Sequence, residues 1–507
     1  MIAADITDII TFDPGIHYEV SSQQIMGAIY ESLVAQYPPD LTRFQPILAR
    51  EVPTKENGGI SADGKTYTFK LRENVKFHSG NTMTADDVVF SMRRLYNLQK
   101  NPAFLADPFS TKEKVNVEAV DPMTVRFTLN EPNVAFLSYL ATTNTVVVDS
   151  KTVKANGGTD APDAKDADKA KDYLDQTSAG TGPYRLTSFK LKEEVTVERN
   201  ANYWRTPAAF DQIVLKYVKD SGTALQQLQA GAVDIAQNLD PDAIAGLKGN
   251  NNFTVIEGNS LNHTYMALNT DPTVGEVVSD KRVRQAIGYS IDYDGLIKGL
   301  KKGAAVQPAT IVPLGLLSAD KAQQYAYKTD VNKAKDLIKA AGAEGKTIKL
   351  TFGQGGSSEG IANDTLASKL KADIERGGLK LELVPMEPQQ RLADYRAAKL
   401  QMTFSTWSPD YVDVHTYAEP FGMTGGAAAK RVKYSNPKVD ELLKQGLQES
   451  NLEKRSGIYQ EIQRLMVEDA AFLMLYQPVF QVAMKKAITN YQIHPIFLVN
   501  LYALKRG

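Results

Sequence analysis

Three stretches of this chain hold residue types at spacings that could do chemistry. The first runs from Phe404 through Trp407, Ser408, Pro409, Asp410 and Tyr411 to Asp413. It puts one of only two Trp residues, a Tyr and two carboxylates just past a strand candidate at 402–407. Strand ends in α/β domains face ligand crevices, where an indole can stack on a solute and a carboxylate can pair with a cation. The same residues also read as a core Trp followed by Asp turn formers. The second, Gly356-Ser357-Ser358-Glu359-Gly360, matches G-x-S-x-G. With Asp410 and then His415 or His494 later in the chain, it has the order of a serine hydrolase using Ser358. Against that, Ser358 lies six residues past Phe352, too far for a sharp strand-to-helix elbow. The third, Gly59 to Thr66, matches the phosphate-loop pattern letter for letter. That chemistry needs a strand before and a helix after, so that the helix N-terminus faces phosphate. Here a strand follows, and the stretch reads as a hairpin turn.

Other chemistries are excluded by composition. Cys is 0, which removes disulfides, thiolate metal sites and cysteine nucleophiles. The five His residues, His17, His78, His263, His415 and His494, never fall at i,i+3 or i,i+4, so no helical zinc motif exists. No metal and no cofactor is expected. Lys plus Arg total 58 against 59 Asp plus Glu. That balance gives no basic surface for nucleic acid or anionic lipid. A length of 507 residues, 43% hydrophobic, predicts a globular chain of several domain-sized units. No apolar run approaches a membrane span. The first residues lack a basic and apolar leader, so the sequence is expected to be a mature form without its signal peptide.

The elements that must position these residues are legible as periodicity. Ile25, Ile29 and Leu33 predict a helix near 23–33, after a turn at Phe12-Asp13-Pro14-Gly15. Tyr67, Phe69 and Leu71 alternate with polar residues as a strand. Thr84 and Asp87 form a capping box for a helix carrying Val88, Met92 and Leu95. Val115 to Leu129 predicts two strands about Asp121-Pro122. Further strands are expected at 184, 195–198 and 213–218. Residues 151–180 are rich in Ala, Asp, Lys and Gly and read as an exposed helix and linker. After 258 strands and helices alternate: helix 282–289, helix 332–341, strand 348–352, helix 366–374, strands 379–384 and 402–407, helices 439–447 and 452–467. This predicts an α/β unit.

Several segments, in order along nearly the whole chain, resemble the family 5, peptide-type extracytoplasmic solute-binding proteins of ABC importers. They are Asp63 to Arg72 with Val75 to Val88; Gly182-Pro183-Tyr184; Arg199 to Trp204; Ala267 to Thr270; Arg282 to Ile287; and Trp407 to Asp413. The resemblance implies a two-lobe periplasmic-binding-protein fold, type II and cluster C-like, with an extra domain in the first lobe. Lobe I is then 1–36, 180–257 and 483–507, the inserted subdomain 37–179 and lobe II 258–482, with hinges near 258 and 483. It implies no enzyme. It implies instead a periplasmic or extracytoplasmic protein, expected to be a monomer, that closes over a solute and delivers it to a membrane permease.

The resemblance also implies roles. In peptide-binding members an Asp three residues past the loop Trp pairs with the ligand's α-ammonium, which here is Asp410 beside Trp407 and Ser408. Tyr18, Glu19 and Val20, after the first Asp-Pro turn, are expected to line the cleft, as are Tyr265 and Tyr476. The positions at which some members hold a carboxylate-clamping Arg carry Asp364 or Thr365, Tyr395 and Phe404, none of them basic, although Arg391 and Arg396 lie close by. The solute is therefore expected to be a short peptide or another amine-bearing compound. A non-peptide solute (an oligosaccharide, an opine-like compound or a metal chelate) is the alternative, and a serine hydrolase is the alternative of another class.

Overall fold

A computed structural model describes residues 1–4, 9–112, 114–218, 220–237, 239–496 and 498–507. It divides into two compact units: Met1–Gly258 with Gln481–Gly507, and Asn259–Phe480. The chain therefore passes between them twice, once at each boundary.

The first unit has two cores. One is built on strands that pair in the order Tyr184–Lys190, Glu194–Arg199, Gln212–Tyr217, Ile2–Ala4 and Ile235–Ala236, with the end of the long Phe472–Lys485 strand beyond them. Alternate residues Val195, Val197, Ile213 and Leu215 are buried there against Ile25, Met26 and Ile29. Those three lie on the Val20–Ile29 helix, which begins and ends earlier than the expected 23–33. The second core spans Leu33 to Val147 and centres on the antiparallel sheet of Thr66–Lys70, Thr124–Thr128 and Val117–Asp121. Phe69, Phe109, Phe127 and Phe136 meet edge to face there, with centroids 5.1–5.8 Å apart for the Phe127 and Phe109 pairs. The capping box at Thr84 and Asp87 is present, with the Thr84 amide donating to Asp87 Oδ2 at 2.8 Å. The phosphate-loop look-alike is a hairpin turn: Ser61 N donates to Thr66 O at 3.0 Å, and Gly64 turns the chain at φ 73°.

Residues 151–180 correct the linker expectation. They form three short helices, Ser150–Ala155, Ala164–Ala167 and Lys171–Gln176. Val153, Ala170 and Leu174 are fully buried in the first core. The small, charged composition was misleading because its Asp residues are structural. Asp149 caps the first helix, and Asp168 and Asp175 accept hydrogen bonds from Arg94 and Thr11.

In the second unit the strands pair in the order Lys380–Met386, Thr347–Gly353, Met402–Trp407, His263–Leu268 and then Phe472 onward. The first three are parallel, and the His263–Leu268 strand runs antiparallel to both neighbours. Helices Lys281–Ser290, Val331–Ala340 and Asn363–Arg376 supply Val283, Ile287, Ala334, Ile338, Leu366 and Leu370 to the core. Parallel strands need such crossover helices to return the chain, and the helices bury the sheet face in doing so.

Candidate functional site

The Trp407 segment is fixed at both ends. Before it, Met402–Trp407 is laddered to His263–Leu268, with Trp407 opposite His263 and Ser405 opposite Tyr265. After it, Asp413 takes a two-pronged ion pair from Arg455, Nη1 to Oδ2 at 2.8 Å and Nη2 to Oδ1 at 2.7 Å. Asp413 Oδ1 also accepts the His415 amide at 2.8 Å, at the start of the His415–Gly422 helix. Burial would raise the Asp413 carboxyl, but the Arg455 charge and hydrogen bonds outweigh it and hold the group below its usual range. Asp413 is committed to Arg455, 42 residues away, and holds the loop. Asp410, half-buried, sits between the strand end and that anchor.

Trp407 is half-buried, with its ring edge-to-face on Phe421 at 5.1 Å and the Arg431 guanidinium 5.6 Å from its centroid. Ser408 is exposed. Tyr417 lies under the loop and donates to Leu261 O. Burial raises its hydroxyl well above the usual range, and the charges of Asp410 and Glu359 add to this, so both carboxylates lie within electrostatic reach of it. Tyr265 and Tyr476 are fully buried. The Tyr265 hydroxyl meets that of Tyr395 at 3.3 Å, and its ring packs on Phe421 at 5.0 Å. Tyr476 donates to Ser358 O at 2.7 Å. Through Phe421, which also packs on Trp407, Tyr265 belongs to the packing beneath the loop.

The serine-hydrolase reading is corrected here. Ser358 is buried in a two-residue hairpin strand and donates to Asn363 Oδ1 at 2.8 Å. His415 Nδ1 bonds the Tyr459 hydroxyl at 2.8 Å, and His494 bonds Gln36 O at 2.9 Å, so neither serves the serine. Both rings are held neutral by burial, His415 at about 4 and His494 at about 3.

In the first unit, Tyr18, Glu19 and Val20 end a loop that is tightly pinned. The Asp13 carboxylate accepts Arg94 Nη1 at 2.7 Å and Nη2 at 2.6 Å, and also the Gly15 amide at 2.9 Å. Arg94 reaches Asp168 as well, at 2.7 and 2.8 Å. Asn144 Nδ2 donates to Pro14 O and His17 O at 3.0 and 2.8 Å. Tyr18 is then exposed, with its ring edge-to-face on Phe104 at 6.3 Å. Glu19 is half-buried at the N-cap of Val20–Ile29; its carbonyl accepts Ser22 Oγ at 2.8 Å. Fixing this backbone beforehand lowers the ordering entropy that a ligand must offset.

The segments that carried the resemblance turn out to be buried polar pegs. Glu31 accepts from Tyr203 Oη and Trp204 Nε1 at 2.7 Å and from Thr181 Oγ1 at 2.8 Å. Burial nonetheless raises its carboxyl. Asn200 and His78 both bond Gly182 O, at 3.1 and 3.0 Å. Gly182 itself admits no side chain, since a Cβ would sit 2.4 Å from Ala28 O. In the second unit Asn269 donates to Ala398 O and Leu400 O, and Arg284 to Asp469 O and Ser279 O. No local pattern announces Arg455 or Arg94, the partners that fix the two loops; each lies far away in sequence. Among the described residues no group of three or more His, Cys, Asp or Glu could hold a metal, and no helix is long and apolar enough to cross a membrane.

The family model for bacterial extracellular solute-binding proteins, family 5, matches residues 43–429. The chain is 28% identical over 489 residues to the "Probable D,D-dipeptide-binding periplasmic protein DdpA" of Escherichia coli, covering 96% of this chain and 90% of that one. It is also 28% identical over 481 residues to heme-binding protein A of Haemophilus influenzae, covering 90% and 82%. An ABC transporter substrate binding protein of Listeria monocytogenes shares its fold with a TM-score of 0.84 at 21% identity, covering 100% and 98%. With a signature that spans most of its length and the α/β fold of type II periplasmic binding proteins, the chain belongs to the family 5 extracellular solute-binding proteins, which serve transport and are not enzymes.

Proposed function

We propose that the chain captures a short peptide or other amine-bearing solute outside the cytoplasmic membrane and presents it to the permease of an ABC importer. The observation that carries this reading is the fixed loop after Met402–Trp407. Arg455 ties Asp413 down and so fixes the backbone of this loop, and Asp410, three residues past Trp407, stands where the resemblance implies the carboxylate that meets an α-ammonium. A half-buried carboxylate gains from a fixed cation and disfavours a neutral group in its place. Trp407 supplies an apolar wall beside it, and Tyr18, Glu19 and Val20 are the proposed contribution of the first unit, drawn in as the two units close over the solute. The peptide-type names among the relatives support the same class.

Native mass spectrometry of the purified protein identifies a carried solute. Titration calorimetry with that solute and its N-acetylated form then tests the amine. Acetylation is expected to weaken binding at least about 30-fold, the equivalent of roughly 2 kcal/mol. Equal affinity for the two forms contradicts the reading and favours a non-peptide solute, the class to which the heme-binding relative points.

A further inference from the structure

A cavity of about 630 Å³ opens on the first unit between the stretches 37–45, 205–209 and 490–506. That volume is the size of a small-molecule site. None of its fifteen lining residues is Asp or Glu, whereas Arg205, Lys505 and Arg506 all line it. The whole chain carries a formal charge of -1, so this lining is a local departure from balance. No ion pair joins any of the three cations to a carboxylate among the described residues. Glu31 acts on Arg205 electrostatically, but its oxygens already take hydrogen bonds from Thr181, Tyr203 and Trp204. The walls are fixed beforehand. The Arg205 guanidinium stands 5.6 Å from the Trp204 ring centroid and 5.4 Å from that of Tyr502. Tyr502 in turn donates to Thr206 O at 2.9 Å and sets its ring edge-to-face on Tyr203 at 5.4 Å. Asn490 Nδ2 holds the chain at Ala503 O, at 2.7 Å. Gln45, Gln492 and Asn500 add side-chain amides with no hydrogen-bond partner among the described residues.

Each part selects a different feature of a ligand. Cations without carboxylates select negative charge, and a guanidinium fork fits a carboxylate or phosphate. Side-chain amides both donate and accept, which suits hydroxyl groups. Tyr37 and Tyr502 add flat apolar ring faces, against which the C–H face of a sugar ring can lie. We propose that this cavity binds an acidic sugar, a saccharide bearing a phosphate or a carboxylate, at a site apart from the transported solute. The separation follows from one helix. Tyr203 and Trp204, next to Arg205 in the chain, bond Glu31, two residues past the C-terminal end of Val20–Ile29. Tyr18 and Glu19 stand at the other end of that helix, about 15 Å away for its ten residues. The proposal therefore does not depend on the amine reading of Asp410.

Calorimetry with glucose 6-phosphate, glucuronate, glucose and inorganic phosphate, all at one ionic strength, tests it. At least one of the two acidic sugars should bind at least about tenfold tighter than both glucose and inorganic phosphate. Which of them binds tells a phosphate from a carboxylate ligand. Arg205→Gln and Lys505→Glu, both at exposed positions, should each weaken that binding at least about fivefold. Trp204 emission, isolated in Trp407→Phe, should change with the same dissociation constant, because Arg205 lies against its ring. Inorganic phosphate binding as tightly as glucose 6-phosphate overturns the sugar, and glucose binding as tightly overturns the charge. Binding by neither acidic sugar overturns the proposal outright. So does binding that survives both substitutions, since the sugar then sits somewhere other than this cavity.

Discussion

Removing the Arg94 side chain charge is expected to loosen the loop that presents Tyr18 to Val20. Arg94 is 3% exposed and faces Asp13 and Asp168, at 0% and 2%, through four hydrogen bonds of 2.6–2.8 Å. Arg94→Met fills similar volume and leaves two buried carboxylates uncompensated. Breaking a buried pair from one side costs about 3–5 kcal/mol. The first unit should therefore melt roughly 6–20 °C lower at pH 7. The pH dependence gives a second check. Burial would raise the Asp168 carboxyl, but the Arg94 hydrogen bonds and charge, with the Thr159 and Ala170 amides, hold it below its ordinary value. A carboxylate depressed in the fold contributes stability above its unfolded pKa, near 3.9, and loses it as pH falls through the folded value. Wild type therefore loses this contribution in acid and the variant has none to lose, so the gap between them should narrow below about pH 4. Urea unfolding followed by circular dichroism at pH 7 and pH 3 measures both. Faster amide exchange at Gly15, Ile16 and His17 should accompany the loss, because Asp13 accepts all three amides. A loss under about 1 kcal/mol at pH 7, or an undiminished gap at pH 3, refutes the reasoning.

Asp413→Asn should cost the second unit about 3–5 kcal/mol and shift Trp407 emission, whereas Asp410→Asn should change stability by under about 1 kcal/mol; parallel urea titrations compare the two. His263 is buried with neither ring nitrogen bonded, and burial lowers it to about 3. Because the unfolded ring gains a proton below about pH 6.5 and the folded ring does not, stability falls with pH there. His263→Leu should gain about 2 kcal/mol on wild type between pH 7.5 and pH 5, and an unchanged difference in calorimetry contradicts this. Ser358→Ala should keep solute affinity within about threefold, and a fluorophosphonate probe should leave native Ser358 unlabelled. If solute joins Tyr18–Val20 of one unit to Asp410 of the other, small-angle scattering should give a smaller radius of gyration with solute than without, and no change speaks against closure.

Strand and helix periodicity was legible wherever one face of an element is buried. Met402–Trp407 falls where alternation and β-propensity place it, and the helices after residue 281 are found within a few residues of their apolar stripes. Residues 151–180 were misread because close packing there uses Ala and hydrogen-bonded Asp in place of large apolar side chains. The candidate loop could be picked out by its Trp and paired Asp residues, but its two carboxylates could not be told apart. What separates them is Arg455, brought to Asp413 by tertiary packing across 42 positions.

The most direct test of the central claim is calorimetric titration of wild type and Asp410→Asn with the solute found by native mass spectrometry. The substitution keeps the shape and removes the charge. If an ammonium sits against Asp410, affinity should fall by roughly 2–4 kcal/mol, about 30- to 1,000-fold, with stability unchanged. An unchanged dissociation constant removes the amine from the account and leaves the loop as a scaffold for a different class of solute.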